Sequence, residues 1–192
     1  MRLDSRRWAA LLLVPALFGC ATLQELAALR QVAFSFDRVT DVKVAGIALD
    51  RIDGWSQLGA ADAARIASAV ASRELPLELV LHVRAENPKA NPVEARLVGL
   101  DWTFYVEDRK TVAGRLRGGQ QLPPGTPVDV PVPISLDLTN YFGGGARDLF
   151  ELALGIAGRA NTRPIRLEVT PEIETSLGPI RYPAPIVIER AP

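Results

Sequence analysis

Apolar and polar positions alternate along most of the chain from Val32 onwards, and this period of two predicts half-buried β-strands. The clearest case is the stretch 128–139, in which every second residue is apolar. The apolar faces of the four main predicted strands are Leu79, Leu81, Val83 and Ala85; Val98, Leu100, Trp102, Phe104 and Val106; Val128, Val130, Val132, Ile134, Leu136 and Leu138; and Ile165, Leu167, Val169 and Ile173. Weaker patterns predict further strands at 32–36, 42–49, 111–117 and 180–188.

Two prolines mark one of these strands as special. Pro131 and Pro133 are two positions apart, so their missing N–H groups fall on the same side of the strand. A strand that lacks backbone N–H donors along one side cannot form regular hydrogen bonds with a neighbouring strand on both sides. We therefore predict a sheet edge, or a change of partner sheet, at this strand.

Two segments follow a helical period instead. Residues Ala63, Ile66, Ala67 and Val70 share one predicted helix face, and Leu149, Leu152, Ala153 and Ile156 share another. Gly158 is placed to end the second helix. Several short strands separated by turns, with two short helices, predict a mainly-β fold. The specific expectation is an immunoglobulin- or fibronectin-III-like antiparallel β-sandwich over residues 32–190.

Composition fits a folded domain and restricts the ways in which it can be stabilised. Hydrophobic residues make up 48% of the 192 positions and charged residues 23%, which is the profile of a globular chain. A chain of this length buries about 70% of its unfolded surface, so a core alone can support it. Because there is a single cysteine, Cys20, no disulfide can form within the chain.

The N-terminus carries the features of an export signal. Arg2, Arg6 and Arg7 precede an apolar run over 8–18. That run is shorter than the about 20 residues that span a bilayer, so we predict a signal peptide at 1–19. Gly19 directly before Cys20 resembles the bacterial lipobox, in which the cysteine sulfur receives a diacylglycerol and the chain is cut before it.

This resemblance makes Cys20 the predicted lipidation site and 20–31 a tether. Two or more acyl chains anchor a protein stably, so we expect a membrane-bound protein in the cell envelope. Ala21, rather than Asp, resembles lipoproteins sent to the periplasmic face of the outer membrane. Removal of 1–19 leaves 19 basic and 21 acidic residues, and this balance argues against a nucleic-acid partner.

Candidate chemistry is sparse. His82 is the one histidine and lies on the polar face of a predicted strand, where an exposed or hydrogen-bonded role is favoured over a ligand or base. A hinge explains the glycine run 143–145 better than an anion site, because no Lys-Ser/Thr pair follows. Solvated strand charge accounts for Glu168, Glu172 and Glu174, and Trp55 is the aromatic most suited to an exposed contact. We predict no catalytic residues, metal or cofactor.

The region 83–138 contains a recognisable order of motifs. Val83 to Pro88 reads Val-Arg-Ala-Glu-Asn-Pro, and Asn91, Pro92 and Val93 follow after two residues. Gly114, a Leu-Pro-Pro-Gly turn at 122–125 and the alternating strand from 128 come next. This order resembles the type 2 late-embryogenesis-abundant family, also called the water-stress and hypersensitive-response domain, over most of 34–188.

The resemblance implies a non-enzymatic β-sandwich linked to water stress or desiccation, and bacterial members often carry lipoprotein signals. Its motif residues Asn87, Pro88, Asn91 and Pro92 have a structural explanation. The prolines favour extended asparagines, whose side chains can bond their own backbone in a tight turn. The mean hydropathy of +0.11 differs from the hydrophilic disorder of other protectant families, so the fold transfers more readily than the protective role.

Two functions from different classes remain open at this stage. The first is a lipid-anchored, non-catalytic module in the periplasm that binds protein clients or envelope components under stress. The second is a carrier of an apolar or lipid ligand, with the helix over 147–157 acting as a lid. An apolar groove beside that helix would favour the carrier.

Overall fold

The computed structural model describes residues 32–91, 94–175 and 178–190. The predicted signal at 1–19, Cys20, the tether at 20–31 and Pro92 lie outside the described residues. Within the described part, the alternating segments form nine strands in two open sheets, and every pairing between strands is antiparallel. The mainly antiparallel β class with two helices is thereby confirmed.

The first sheet has four strands in the order β2-β1-β3-β6. Its members are β1 (Ala33–Val44), β2 (Ile47–Ala48), β3 (Pro76–Glu86) and β6 (Val128–Asp137). Strands β3 and β6 pair in continuous register from Pro76 opposite Asp137 to Ala85 opposite Val128. One face of this sheet is apolar and faces the core, as the period of two requires.

The second sheet has the order β5-β4-β7-β8, and β9 also pairs with β7. Strand β7 therefore holds β8 along its second half and β9 along its first half, both on the side away from β4. At the sides of the two-sheet structure, β1 contacts β9 and β6 contacts β5. The strands of this sheet are β4 (Ala95–Val106), β5 (Arg109–Leu122), β7 (Ile165–Thr175), β8 (Gly178–Arg181) and β9 (Ile186–Arg190).

The two predicted helices are present and differ in burial. Helix α1 (Ala60–Ala71) buries Ile66, whereas seven of the twelve residues of α2 (Ala146–Ala157) are buried. Gly158 ends α2 as expected, with φ of 75°, and the N–H of Arg159 donates to the carbonyl of Leu154 at 3.0 Å. The alternation pattern did not indicate the two short 3₁₀ helices, Trp55–Gln57 and Leu138–Asn140.

Strand β6 confirms the reasoning from its prolines. It lies at the edge of the first sheet and pairs only with β3 among the described strands, with Pro131 opposite His82 and Pro133 opposite Val80. The side chains of both prolines are exposed. Because the outer edge needs no ladder partner, the missing N–H groups leave no broken bond in the sheet.

The apolar face predicted for β4 is wrong at its start. Leu97 is buried and Val98 only half-buried, because the pairing between β4 and β5 shifts between Leu97 and Gly99. Two residues of β5, Gly118 and Gly119, lie opposite the single residue Val98, which is a β-bulge. Val98 is also an extra residue of β4 against β7, and this reverses the alternation along β4. Beyond the bulge, Leu100 and Phe104 face the core as predicted, and both are fully buried.

Gly114 lies on β5, which is an edge strand of the second sheet. It pairs with Trp102, and the indole of Trp102 covers the backbone of the glycine. A Cβ atom at position 114 would lie 2.8 Å from Cε2 of that ring. Trp102 is half-buried against the core in this position, so the glycine is required by the aromatic neighbour rather than by its own backbone.

We expect Gly114→Ala to destabilise the protein by about 1–3 kcal/mol, because either the indole or the strand has to shift. The matched control is Gly118→Ala in the same strand, where a Cβ meets nothing within 4 Å and stability should change little. Urea unfolding of both variants measures the difference. Equal midpoints for the two variants would show that the Trp102 contact is not a constraint.

Candidate functional site

Asn87 is a buried polar residue at the end of β3, where the chain leaves the first sheet for the second. Its side chain is 0% exposed. Its Nδ2 donates to the carbonyl of Leu122 at 2.8 Å, and its own backbone carbonyl accepts from the N–H of Gly125 at 2.6 Å. Asn87 therefore joins the β3–β4 crossover to the β5–β6 crossover across 35 positions of sequence.

Asn91 completes this corner. Its Nδ2 donates to Oδ1 of Asn87 at 2.8 Å, and its backbone N–H donates to the carbonyl of Pro88 at 2.9 Å. Gly125 has a φ of +72°, a conformation that favours glycine, and a side chain there would also meet Lys89. We call Asn87, Asn91, Leu122 and Gly125 the asparagine corner.

The structure brings together motif residues that the sequence left separate. The turn near Asn87 and the Pro124–Gly125 turn were recognised as two features, and they form one hydrogen-bonded unit with a bridge between Asn87 and Pro124. The Nδ2 of Asn87 reaches the β5–β6 crossover, a contact that the sequence did not indicate. The alternation of apolar and polar residues along a strand gives no information on this contact.

A crevice of about 320 Å³ opens beside the corner, on the side where β5 faces the edge of β6. Its floor includes Leu97 and Leu100, whose side chains are 3% and 0% exposed, and the half-buried Leu116. We call it the β5–β6 crevice. Its lining residues are Leu97, Gly99 and Leu100 of β4, Leu116, Arg117, Gly118, Gly119 and Gln120 of β5, and Pro131 of β6.

The bulge of β5 accounts for the position of this crevice. Gln120 is opposite Leu97, and Arg117 is opposite Gly99, so Gly118 and Gly119 lie at the irregular step. A bulge bends its strand and interrupts the ladder. At one end the gap is bridged, because Nε2 of Gln120 donates to the carbonyl of Asp129 on β6 at 2.8 Å.

Charged groups on the outer face of the second sheet are paired by arginines. Asp101 lies 3.4 Å from Arg115 and 2.5 Å from Arg181, and Glu172 also contacts Arg115. Likewise Glu174 pairs with Arg96 at 2.9 Å. Such a network contributes more than isolated surface pairs do, and it agrees with the interpretation of these glutamates as structural strand charge.

Glu168 is part of the same face and affects a neighbouring tyrosine. It accepts from the hydroxyl of Tyr105 at 2.9 Å, and Arg166 lies 4.0 Å from the centre of the Tyr105 ring. The hydrogen bond to Glu168 raises the pKa of Tyr105 above its ordinary value.

His82 forms a polar row on the outer face of the first sheet. Its Nδ1 lies 2.8 Å from Oδ2 of Asp129, and its Nε2 lies 2.9 Å from Oγ1 of Thr40. The order hydroxyl, imidazole, carboxylate occurs in acyl-transfer triads. Here the Thr40 hydroxyl is shared with Asp41 at 3.0 Å, and the row joins β1, β3 and β6, which favours a brace across three strands.

Two other expectations are corrected around α2. Trp55 is not an exposed contact residue, since it packs edge-on against Phe150 with ring centres 5.6 Å apart. The lid role predicted for the helix is also wrong, because seven of its residues are packed in the core. The groove beside its C-terminal end has a volume of about 240 Å³ and is partly lined by Thr40, Asp50 and Arg159.

The glycine run before α2 is explained by a cap. Asp148 accepts through Oδ2 from the N–H of Gly145 at 2.9 Å, so a carboxylate of the chain itself occupies the helix N-terminus. In the described part of the chain, no group of three His, Cys, Asp or Glu side chains could hold a metal ion. The helices of that part are also too short or too polar to cross a membrane.

We expect Asn87→Asp to destabilise the protein by about 2 kcal/mol or more, because the carboxylate cannot donate to Leu122 and would be buried. Asn140→Asp is the matched control, since Asn140 is exposed in the Leu138–Asn140 helix. Urea unfolding compares the two variants. Surface substitutions usually change the free energy of unfolding by less than about 0.5 kcal/mol. A loss within that range for Asn87→Asp would mean that the corner contributes no more to stability than a surface turn.

No family model and no curated protein matches the chain. Solved structures match the chain at low identity. A crystal structure of a protein from Archaeoglobus fulgidus is 14% identical, with 83% of this chain and 91% of that chain covered and a TM-score of 0.37. A solution structure of an Arabidopsis thaliana protein is 15% identical, with 83% and 81% covered and a TM-score of 0.41. A candidate late-embryogenesis-abundant protein is 10% identical, with 88% and 77% covered and a TM-score of 0.38. Similarity at this level does not identify a family.

Proposed function

We propose that this protein is a non-catalytic binding module, held at the cell envelope by a lipid on Cys20, and that the β5–β6 crevice is its ligand site. The observation that carries the proposal is the crevice itself. Core leucines line its floor, and it opens between two strand edges that do not pair with each other. Its volume of about 320 Å³ lies at the small end of ligand pockets.

The register of the strands supports a membrane-side location for the crevice. Ala33 pairs with Glu86 and Ala85 pairs with Val128, so β1 begins at the same end as the asparagine corner. The crevice lies in the half of the structure next to that end. A tether over 21–31 would reach about 40 Å when extended, which lets this half approach the lipid surface.

Two finer features belong to the same proposal. The strand orders β1-β3-β6 and β9-β7-β4-β5 match the orders A-B-E and G-F-C-C′ of immunoglobulin-type sandwiches, so we assign the fold to that class. The location proposed is the periplasmic face of the outer membrane, on the basis of Cys20 and Ala21. A role under water stress rests on the resemblance of the motif around Asn87 to type 2 late-embryogenesis-abundant proteins.

The anchor predicts that Cys20→Ser abolishes lipidation. Cells grown with an alkyne analogue of palmitate should label the wild-type protein and leave the variant unlabelled. The wild type should also fractionate with membranes in high salt, and its mature N-terminus should begin at residue 20 by mass spectrometry. Equal labelling of both proteins would contradict the assignment of Cys20.

The crevice predicts that Gly118→Leu blocks binding of a neutral apolar probe. A Cβ at Gly118 meets nothing within 4 Å, so the larger side chain can enter the open space without disturbing the strand. We expect at least about a tenfold loss of affinity for N-phenyl-1-naphthylamine, which is about 1.4 kcal/mol. Fluorescence titration of the chain from residue 20, carrying Cys20→Ser, measures it.

Gly143→Leu is the control, because a Cβ there also meets nothing within 4 Å and Gly143 precedes α2, away from the crevice. This variant should bind the probe as the wild type does, and the midpoints of urea unfolding of both variants should equal that of the wild type. Absence of probe binding to the wild type, or equal binding to all three proteins, would remove the crevice as a ligand site.

A further inference from the structure

We propose that the β5–β6 crevice selects a single-chain amphiphile with an anionic head group, and that Arg117 is the residue that binds this head group. The inference rests on the proposed ligand site and adds the chemical class of the ligand. One apolar chain would lie on the leucine floor, and an anionic oxygen group would meet the guanidinium at the rim.

The apolar part of the argument is the composition of the lining. Leu97, Leu100 and Leu116 form its hydrophobic part, and Gly118 of the bulge leaves open space where a side chain would lie. A second groove of about 320 Å³ on the outer face of the first sheet is edged by charges of both signs, from Asp41, Lys43 and Glu78. Among the described residues that line the β5–β6 crevice, Arg117 is the one that is charged.

The pairing of neighbouring arginines is the second observation. Arg115, on the same strand, contacts Asp101 and Glu172, and Arg96 on β4 contacts Glu174. Within the part of the chain that the structure describes, Arg117 makes no ion pair. Its charge is therefore available to an anion from outside, and a guanidinium is suited to carboxylate and phosphate oxygens.

The acidic residue nearest along β6 does not satisfy Arg117. Asp129 is held on the outer face of the first sheet by His82 at 2.8 Å and by Arg38 at 3.1 Å. On the β6 side of the crevice, the backbone carbonyl of Asp129 accepts a hydrogen bond from Gln120. The rim thus carries one uncompensated positive charge next to an apolar floor.

The experiment compares two ligands that share a twelve-carbon chain and differ in the head. Dodecanoate and 1-dodecanol are titrated against the bound N-phenyl-1-naphthylamine probe, below their micellar concentrations, on the chain from residue 20 with Cys20→Ser. We expect Arg117→Gln to weaken dodecanoate about three- to tenfold and to leave dodecanol unchanged. Added salt should weaken only dodecanoate.

Arg51→Gln is the matched control, because Arg51 is exposed and, among the described residues, also lacks an ion pair. It should leave both ligands unchanged. If Arg117→Gln weakens both ligands equally or neither of them, the assignment of Arg117 is wrong while the crevice stands. If the probe binds but neither ligand displaces it, the proposal that the crevice selects an amphiphile is also wrong. Failure of the probe itself to bind overturns the ligand site as well.

Discussion

The buried amide of Asn87 is the constraint on which the geometry of this protein depends. A polar side chain in a dry environment costs free energy unless its donor and acceptor are both used. The Nδ2 of Asn87 donates to the carbonyl of Leu122, its Oδ1 accepts from Nδ2 of Asn91, and its backbone carbonyl accepts from the N–H of Gly125. These partners come from two of the crossovers between the sheets, β3–β4 and β5–β6, so satisfying one side chain fixes where β3 ends and where β5 ends.

The position of the crevice follows from that fixed corner. Leu122 is held at the end of β5, and the bulge lies only a few residues before it, at Gly118 and Gly119. Since β6 is closed to pairing by Pro131 and Pro133, the gap between β5 and β6 cannot be filled by a continuous ladder. Gln120 bridges the gap near the corner, and the leucine floor remains open beyond it. The asparagine corner and the candidate binding site thus lie next to each other along β5.

Sequence reasoning predicted the features that depend on local pattern. The edge position of β6 followed from two prolines, and the end of α2 from Gly158, because each of these residues has one backbone property that decides its place. Pattern did not reveal the bulge at Val98, since the alternation on either side of it looks continuous. The pairing of Asn87 with Leu122 and the lack of an ion pair at Arg117 among the described residues were also missed, because they depend on contacts between residues far apart in sequence. Trp55 was expected to be an exposed contact and α2 was considered as a lid, whereas Trp55 packs against Phe150 of α2.

The most direct test of this account is native-state hydrogen exchange at two neighbouring amides. The N–H of Gly125 donates to Asn87 across the corner, and that of Thr126 donates within its own turn to Pro123 at 3.2 Å. If the corner unfolds only with the whole protein, Gly125 should exchange at the free energy of global unfolding, and Thr126 should exchange faster. Exchange of Gly125 at the rate of an exposed loop amide would contradict the central role of Asn87.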